Sequence, residues 1–457
     1  MLTNIEQWIN QINDFVWGPV LLILLFGTHI YLTIRLNFIQ RFIGLGIKLS
    51  ISKESGKGDI SQFAALSTAL AATVGTGNIV GVASAIAIGG PGALLWMWLT
   101  GVFGIATKYS EALLSIKFRE VDRNGNIVGG PMFVLEKGLK QKWLGIIFAF
   151  LTVIASFGIG NMVQANSISH LLNDQFGISP MVSGIVLALV TGIVILGGIR
   201  SIAKVCEMLV PFMAILYLVS LIIILLMTFD KIPQTISVIL SSAFTGHAAI
   251  GGFAGAGLKE AIRAGVARGL FSNESGLGSA PIVAAAAKTK NAVRQALVSS
   301  TGTFWDTVVI CALTGIAIIN TDAWMFGLKG AEITVKMFSL LGSVGGIILS
   351  MSLLLFVFST ILGWSYYGEK ALEYLLGVKS ILIFRIFWVI FVFVGSISSL
   401  NIVWGFSDIA NALMAIPNLI SLLLLSNFIK KETNRFLSKD KINEEDLELI
   451  RIEQFEK

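Results

Sequence analysis

The sequence predicts an all-α integral membrane protein with about eleven transmembrane helices. Of its 457 residues, 55% are apolar and only 13% carry charge, whereas soluble domains carry about 25% charged residues. The mean hydropathy is +0.83. The 33 basic and 27 acidic residues cluster between long apolar runs. The slight basic excess therefore does not indicate a nucleic-acid partner, and we expect the lipid bilayer to surround the chain.

The individual helices follow from the lengths of the apolar runs. A hydrocarbon core of roughly 30 Å is crossed by about 20 apolar residues in an α-helix. Runs of suitable length lie at residues 16–34, 63–88, 92–116, 144–171, 181–197, 205–228, 261–287, 293–319, 344–376, 381–398 and 400–428. A weaker amphipathic stretch precedes the seventh run, and the charged tail after Lys430 is expected to lie in water.

Lys and Arg predict the orientation of the chain, because short cytoplasmic loops retain basic residues. The connections after the first and third runs are rich in them, with Arg35 and Arg41 in one and Lys117 and Arg119 in the other. When eleven spans are threaded, most other basic clusters fall on the same side. We therefore expect the amino terminus outside the cell, the carboxyl terminus in the cytoplasm, and a multi-pass protein of the plasma (inner) membrane.

Two segments are predicted to interrupt their helices. The run from Thr73 to Asn78 places two glycines in the middle of the second span, where each weakens a helix by about 0.5 to 1 kcal/mol relative to Ala. The run from Phe271 to Gly278 is also polar and Gly-rich, and Pro281 favours the start of the next helix. Unpaired backbone at this depth is tolerated only where it lines a cavity or binds a polar group.

The positions of the two breaks predict an internal repeat. Without the first span, they fall in the first and sixth of ten spans, which is typical of transporters built from two five-helix halves. Because five is odd, the second half is expected to insert upside down. The predicted divisions are an extra amino-terminal helix with its cytoplasmic loop (1–60), a first repeat (61–230), a second repeat with an outer amphipathic stretch (231–429) and the charged tail (430–457).

A broken helix exposes partial charges of both signs, which can bind the carboxylate and the ammonium group of an amino acid. The half-helix starting near Gly77 presents free N–H groups and the positive end of its dipole, which suit a carboxylate. The half-helix ending near Val74 presents free carbonyls, which suit an ammonium group or a small cation. The breaks therefore favour a zwitterionic substrate. Simple helix packing is the alternative explanation for the glycines.

Two other functions remain open from the residues alone. A proton-coupled amino-acid carrier of the same fold would replace the cation with a titrating side chain, and Glu274 is the candidate because it lies in a broken intramembrane segment. An intramembrane enzyme would need a nucleophile, a base and an orienting group. The three histidines lie far apart in the sequence, and no nucleophile-elbow or zinc-protease motif occurs, so an enzyme is not expected.

Four motifs together resemble the alanine or glycine:cation symporter family. They are Thr73-Val74-Gly75-Thr76-Gly77-Asn78, Gly89-Gly90-Pro91-Gly92-Ala93-Leu94-Leu95-Trp96-Met97-Trp98, Gly158-Ile159-Gly160-Asn161-Met162-Val163-Gln164-Ala165-Asn166, and Ser272-Asn273-Glu274-Ser275-Gly276-Leu277-Gly278-Ser279-Ala280-Pro281. The resemblance covers residues from about Val16 to Phe428. Leu95 departs from the family pattern, which usually has Phe there.

The resemblance implies a LeuT-type inverted-repeat fold preceded by one extra helix. It also implies that the protein imports a small neutral amino acid, such as alanine or glycine, together with sodium. It implies a substrate site formed by the backbone amides of Gly75, Thr76 and Gly77, the side chains of Gln164 and Trp364, and the carbonyls of an unwound Phe271 and Ser272. It implies a sodium site formed by the carbonyls of Ala71 and Val74 and the hydroxyls of Ser359 and Thr360. A second ion site is expected either at Thr73 and Asn78 or at Asn78 and Glu274.

Several of these side chains also admit a purely structural role. Gln164 could hydrogen-bond a neighbouring helix, and Trp364 could belong to an interfacial aromatic belt. Ser359 and Thr360 could bond back to their own helix. Glu274 could cap the backbone at the second break, and Lys108 and Glu111 have the i, i+3 spacing of an ion pair.

Overall fold

The computed structural model describes residues 2–52, 56–245, 257–398, 400–437 and 441–446. Within these ranges the chain is almost entirely helical. The amino-terminal part comprises α1 (Leu2–Val16), α2 (Pro19–Arg35) and α3 (Ile43–Ser50). The sequence did not predict α1 as a separate helix. It is bent by 43° from α2, because Gly18 and Pro19 end one helix and begin the next.

The segment predicted as the first repeat contains seven further helices and a small hairpin. These are α4 (Gln62–Thr73), α5 (Gly77–Gly89), α6 (Gly92–Lys117), β1 (Glu120–Val121), β2 (Ile127–Val128), α7 (131–138), α8 (Lys142–Phe176), α9 (Pro180–Ile195) and α10 (Gly198–Met227). The side chain of Ser61 caps α4 by accepting a hydrogen bond from the Ala64 amide.

The segment predicted as the second repeat begins with an amphipathic helix and continues with helices of very different lengths. These are α11 (Ile232–Thr245), α12 (Leu258–Asn273), α13 (Pro281–Ala285), α14 (Ala292–Asn320), α15 (Ala331–Phe338), α16 (Ser343–Leu376), α17 (Ile381–Ile397), α18 (Leu400–Leu424) and α19 (Ser426–Phe436). Short 3₁₀ turns lie at Ile39–Phe42, Phe229–Lys231, Ala323–Phe326, Ser339–Leu341, Val378–Ser380 and Lys441–Asn443. Residues 246–256 of the amphipathic stretch and residues 438–440 and 447–457 of the charged tail lie outside the described residues.

Five of the described helical segments are long and apolar enough to cross a membrane by themselves. They are Lys142–Phe176, Gly198–Met227, Ala292–Asn320, Ser343–Leu376 and Val378–Ile397. Three bent helix pairs raise the number to eight when each pair is taken as one span. The multi-pass class is thereby supported, and the number eleven stays a prediction.

Polar and apolar side chains are distributed as lipid requires. Large apolar residues such as Ile193, Leu226 and Ile383 are exposed on the outside of the bundle. Many polar and charged side chains are buried instead, among them Lys108 and Asp306. Because a charge exposed to hydrocarbon costs free energy, this distribution is typical of a membrane helix bundle with its polar side chains in the interior.

The β-hairpin was not predicted from the sequence. Its two strands pair Glu120 with Val128 and Val121 with Ile127. Asp122 shapes the turn, since one carboxylate oxygen accepts hydrogen bonds from the amides of Asn124 and Asn126 at 2.8 and 2.9 Å. Burial alone would raise the pKa of Asp122, but the hydrogen bonds from the two asparagines outweigh it and lower the pKa.

Candidate functional site

The first break lies where the sequence predicts it. Helix α4 ends at Thr73, Val74 has extended backbone (φ −76°, ψ 92°), and α5 begins at Gly77 at 49° to α4. The Gly75 amide donates to Asn78 Oδ1 at 2.9 Å, and the Thr76 amide donates to Gln164 Oε1 at 3.3 Å. Two backbone N–H groups in the bundle interior thus bond to side-chain oxygens instead of helix carbonyls.

The second break lies slightly later than predicted. Helix α12 continues to Asn273, and the irregular segment starts at Glu274, which has a left-handed backbone (φ 55°). Phe271 and Ser272, expected to be unwound, are therefore in the last helical turn. The amides four residues further on donate elsewhere, Ser275 N to Asn273 Oδ1 at 2.9 Å and Gly276 N to Glu111 Oε1 at 3.0 Å.

The corrected position keeps the expected chemistry at this end of α12. The carbonyls of Phe271 and Ser272 belong to the final turn, at the negative end of the helix dipole. Helix α13 begins at Pro281, as predicted. The second break therefore presents a helix carboxyl end, which suits a positive charge.

The two breaks face each other. A Cβ atom added to Gly77 would lie 3.1 Å from the Cα of Ser272 and 3.3 Å from the ring of Phe271. The amino-terminal end of α5 consequently lies against the carboxyl-terminal end of α12. This contact places the positive end of one helix dipole beside the negative end of another in a buried setting.

The four residues expected to bind sodium lie together. The Thr360 hydroxyl donates to the Ala71 carbonyl at 2.9 Å and lies 3.5 Å from the Val74 carbonyl. The Ser359 hydroxyl lies 3.4 Å from the Ala71 carbonyl and also donates to Phe356 O at 3.0 Å within its own helix. Both hydroxyls of the pair thus reach the end of α4, and hard oxygen ligands are the type that sodium prefers.

Thr73 and Asn78 are not brought together as one ion site. The Thr73 hydroxyl bonds back to its own helix, to the carbonyls of Ala69 and Leu70 at 3.1 and 3.3 Å. The Asn78 amide nitrogen instead donates to the Asp306 carboxylate at 2.7 Å. The side chains of Asn78 and Glu274 bond to different partners as well.

Asp306 lies between the two breaks, and the sequence analysis assigned no role to it. It is fully buried on α14, and its carboxylate accepts hydrogen bonds from Asn78 Nδ2 (2.7 Å), Ser272 Oγ (2.9 Å) and Thr307 Oγ1 (2.6 Å). Asn78 and Ser272 belong to the two broken helices. The available signal was an acidic residue within an apolar span, which is functional by default.

Trp364 packs inside the bundle and not at an interface. Its ring is fully buried, and its Nε1 donates to Glu274 Oε1 at 2.7 Å. A Cβ on Gly160 would lie 2.2 Å from Trp364 Cβ, so the glycine makes room for the indole. The interfacial-belt interpretation of Trp364 is therefore wrong.

Among the described residues, Glu274 caps no backbone amide of the second break, whereas Gln164 does hydrogen-bond a neighbouring helix, as its structural alternative expects. The second Glu274 oxygen accepts from Ser279 Oγ at 2.5 Å, so both described partners of this carboxylate are side chains and not backbone amides. Gln164 Oε1 accepts from the first break, and its Nε2 donates to Ile159 O at 2.9 Å. Both side chains thus lie at a break.

Two interrupted helices that meet around buried polar groups define a transporter of the broken-helix class. The sequence matches the profile of the sodium:alanine symporter family over residues 2–449. The chain belongs to this family. It is accordingly a membrane transporter and not an enzyme.

Relatives match along nearly their full lengths. The sodium/alanine symporter AgcS of Methanococcus maripaludis is 51% identical over 440 residues, which cover 94% of this chain and 96% of that one. An uncharacterized transporter of Haemophilus influenzae is 49% identical over 448 residues, covering 97% and 98%. The probable sodium/glutamine symporter GlnT of Bacillus subtilis is 37% identical over 432 residues, covering 93% and 89%.

A solved structure supports the fold. The crystal structure of MhsT in complex with L-phenylalanine superposes with a TM-score of 0.57, covering 87% of this chain and 96% of that one. The sequence identity is 16%, so this similarity concerns the fold alone. It supports the LeuT-like part of the predicted fold class.

Proposed function

We propose that the protein is a sodium-coupled symporter that imports a small neutral amino acid, alanine or glycine, by alternating access. The substrate binds between the two breaks, and sodium binds at the end of α4. Sodium and amino acid are both cargo. The family and the name of the AgcS relative support this assignment.

One relationship carries the coupling. The Val74 carbonyl lies beside Thr360 Oγ1, and the next two residues along the chain supply the amides of Gly75 and Thr76. A Cβ on Gly75 would lie 2.5 Å from Thr360 Oγ1. A cation at the carbonyl end of this break would therefore stabilise the backbone shape that the substrate carboxylate needs, so that each ligand increases the affinity for the other.

The substrate carboxylate is proposed to replace two neutral side-chain oxygens as the hydrogen-bond acceptor at the first break. Gly75 N and Thr76 N donate to the amide oxygens of Asn78 and Gln164. Hydrogen bonds to a charged acceptor are roughly twice as strong as those to a neutral one. Substrate binding would thus exchange two neutral acceptors for one carboxylate, with Gly77 allowing its close approach.

The ammonium group lies toward the second break. The carbonyls at the end of α12 and the Asp306 carboxylate, which accepts from Ser272 Oγ at 2.9 Å, supply negative potential there. Trp364 limits the volume beside the substrate side chain, since its indole is held by Glu274 and packs on Gly160. A substrate as small as alanine or glycine fits these constraints.

We further propose that the protein lies in the plasma membrane. The basic loops then predict that its amino terminus is outside the cell and its carboxyl terminus is in the cytoplasm. The division into two inverted five-helix repeats, 61–230 and 231–429, belongs to the same proposal. The two helix interruptions, after Thr73 and after Asn273, support it, because they fall in the first and the sixth of the ten predicted spans.

Uptake in proteoliposomes tests the function. Labelled alanine should accumulate when an inward sodium gradient is imposed at equal pH, and unlabelled glycine should compete. Glutamine and phenylalanine serve as larger competitors. Absence of sodium-driven uptake of both alanine and glycine would contradict the proposal.

The same uptake assay also tests the alternative that the protein is proton-coupled. The buried Glu274 carboxylate at the second break is the observation that favours proton coupling. In a sodium-free buffer with an inward pH gradient, a proton-coupled carrier would accumulate alanine, and a sodium-coupled one would not.

A further inference from the structure

Glu111 lies on α6 beneath the second break and is buried, with 2% of its surface exposed. One carboxylate oxygen, Oε1, accepts three hydrogen bonds. They come from the amides of Gly276 and Gly278, each at 3.0 Å, and from Asn418 Nδ2 at 2.6 Å. A single oxygen therefore joins α6, the irregular segment after α12, and α18.

The irregular segment depends on this oxygen for its hydrogen bonds. Gly276 and Gly278 have φ values of +95° and +80°, which side chains rarely adopt. Their amides point away from the helix carbonyls that would otherwise accept them. The Gly276 carbonyl is also held, because Asn418 Nδ2 donates to it at 2.9 Å. Without such acceptors two amides would be left unpaired in a buried site.

We propose that Glu111 is a positioning residue of the transport cycle, which holds the second break in the shape that presents the end of α12 to the amino acid. The proposal rests on the symport function proposed above. The carboxylate replaces the hydrogen bonds that the helix loses at the break. Its role is exerted through the backbone, without contact with the substrate.

Lys108 and Glu111 interact electrostatically, but they do not form the direct hydrogen-bonded pair that their spacing predicts. Within the described residues, Lys108 Nζ is buried without a hydrogen-bond partner, although Lys108 lies one turn before Glu111 on α6. Glu111 Oε1 is directed at the break, and its second oxygen, Oε2, has no partner there. An i, i+3 pair that only stabilised α6 would bring Lys108 and Glu111 into contact.

Glu111 is connected to the amino-acid site and not to the sodium site. The amides that donate to Glu111 belong to the second break, whereas the residues proposed to bind sodium lie at the end of α4 and on α16. Loss of Glu111 should therefore weaken amino-acid binding more than sodium binding. A general packing defect would weaken both.

The test compares Glu111→Ala and Glu111→Gln with the matched variant Ser115→Ala. Ser115 is buried on the same helix, and its hydroxyl donates to the Pro281 carbonyl at 2.7 Å, just after the break. Each full-length variant is reconstituted in liposomes. The KM for alanine and the sodium concentration for half-maximal uptake are measured, together with the thermal stabilisation that each cargo gives in detergent.

We expect Glu111→Ala to raise the KM for alanine by about fiftyfold, because hydrogen bonds to a charged group are lost. The half-maximal sodium concentration should change by less than about threefold, and sodium alone should still stabilise the variant. Glu111→Gln keeps an acceptor oxygen and should restore the KM to within about fivefold of the wild type. Ser115→Ala should behave as wild type.

An unchanged KM in Glu111→Ala would overturn the proposal. So would equal changes in the alanine and sodium values, or an effect of Ser115→Ala as large as that of Glu111→Ala. If the wild-type protein itself shows no sodium-driven uptake of alanine or glycine, the proposed function fails together with this inference. A transporting wild type with an unaffected Glu111→Ala variant removes only the role of Glu111.

Discussion

Gly77 and Ser272 bring the two broken helices into contact, since a methyl group on Gly77 would lie 3.1 Å from the Ser272 Cα. The two residues are 195 positions apart in the chain. Their contact makes one site out of two interruptions, with the amino end of α5 on one side and the carboxyl end of α12 on the other. Changes at this contact are expected to affect transport before they affect folding.

Gly77→Val is expected to abolish alanine uptake while the protein still inserts into the membrane. The added side chain meets backbone atoms of α12, which cannot move aside as a flexible side chain can, and such overpacking costs about 1–3 kcal/mol. Initial uptake rates and the amount of protein in the membrane fraction measure the two effects. Gly81→Ala is the control, because the described atom nearest to the added Cβ, Thr76 O, would lie 3.8 Å away. Normal uptake by Gly77→Val would refute the site.

Thr360→Ala is expected to raise the sodium concentration for half-maximal uptake by about tenfold, since one of the proposed ligands is removed. Folding should change little, by about 1 kcal/mol for the lost hydrogen bond. Sodium titrations of uptake and of thermal stability provide the measurement. Ser365→Ala serves for comparison, because the one partner of this buried hydroxyl among the described residues is Leu362 O of its own helix. An unaltered sodium dependence in Thr360→Ala would exclude the hydroxyl as a ligand.

Asp306→Asn is expected to raise the KM for alanine by about tenfold, because the negative charge near the ammonium group is lost while the shape of the side chain is kept. Competition by glycine should weaken in parallel. Asp322→Asn is the control, since Asp322 pairs with Lys231 at 2.8 Å in an exposed position. A wild-type KM in Asp306→Asn would restrict Asp306 to a structural role.

Arg268→Lys is expected to slow the maximal uptake rate by about five- to tenfold. Arg268 lies one turn before Phe271 and binds Asp408 with two hydrogen bonds, at 3.0 and 2.6 Å. We interpret this pair as a closure on the side of the site where α12 begins, and lysine cannot reproduce its two-pronged geometry. Asp14→Asn breaks the neighbouring, more exposed Arg263 pair and should leave the rate unchanged. Equal rates for Arg268→Lys and wild type would contradict the interpretation.

The sequence indicated both breaks because closely spaced glycine and polar residues in an apolar run weaken a membrane helix. It located the first break correctly at Val74 and placed the second three residues too early, at Phe271. In the structure α12 ends only at Asn273, where Glu274 has a left-handed backbone, and the Gly276 amide donates to Glu111 on another helix. A contact between residues 165 positions apart leaves no local pattern in the chain.

Local composition determined the membrane class, the two interruptions and the residue types suited to a zwitterion and a cation, because each depends on hydrophobicity or on backbone freedom within a few residues. Tertiary packing alone decided that Asp306 joins Asn78 to Ser272, that Trp364 is held by Glu274 inside the bundle, and that Glu111 supports the second break. These are distant polar contacts in a medium without water. There a buried donor is stabilised by whichever acceptor the fold brings near it, so the partner is set by three-dimensional position and not by sequence spacing.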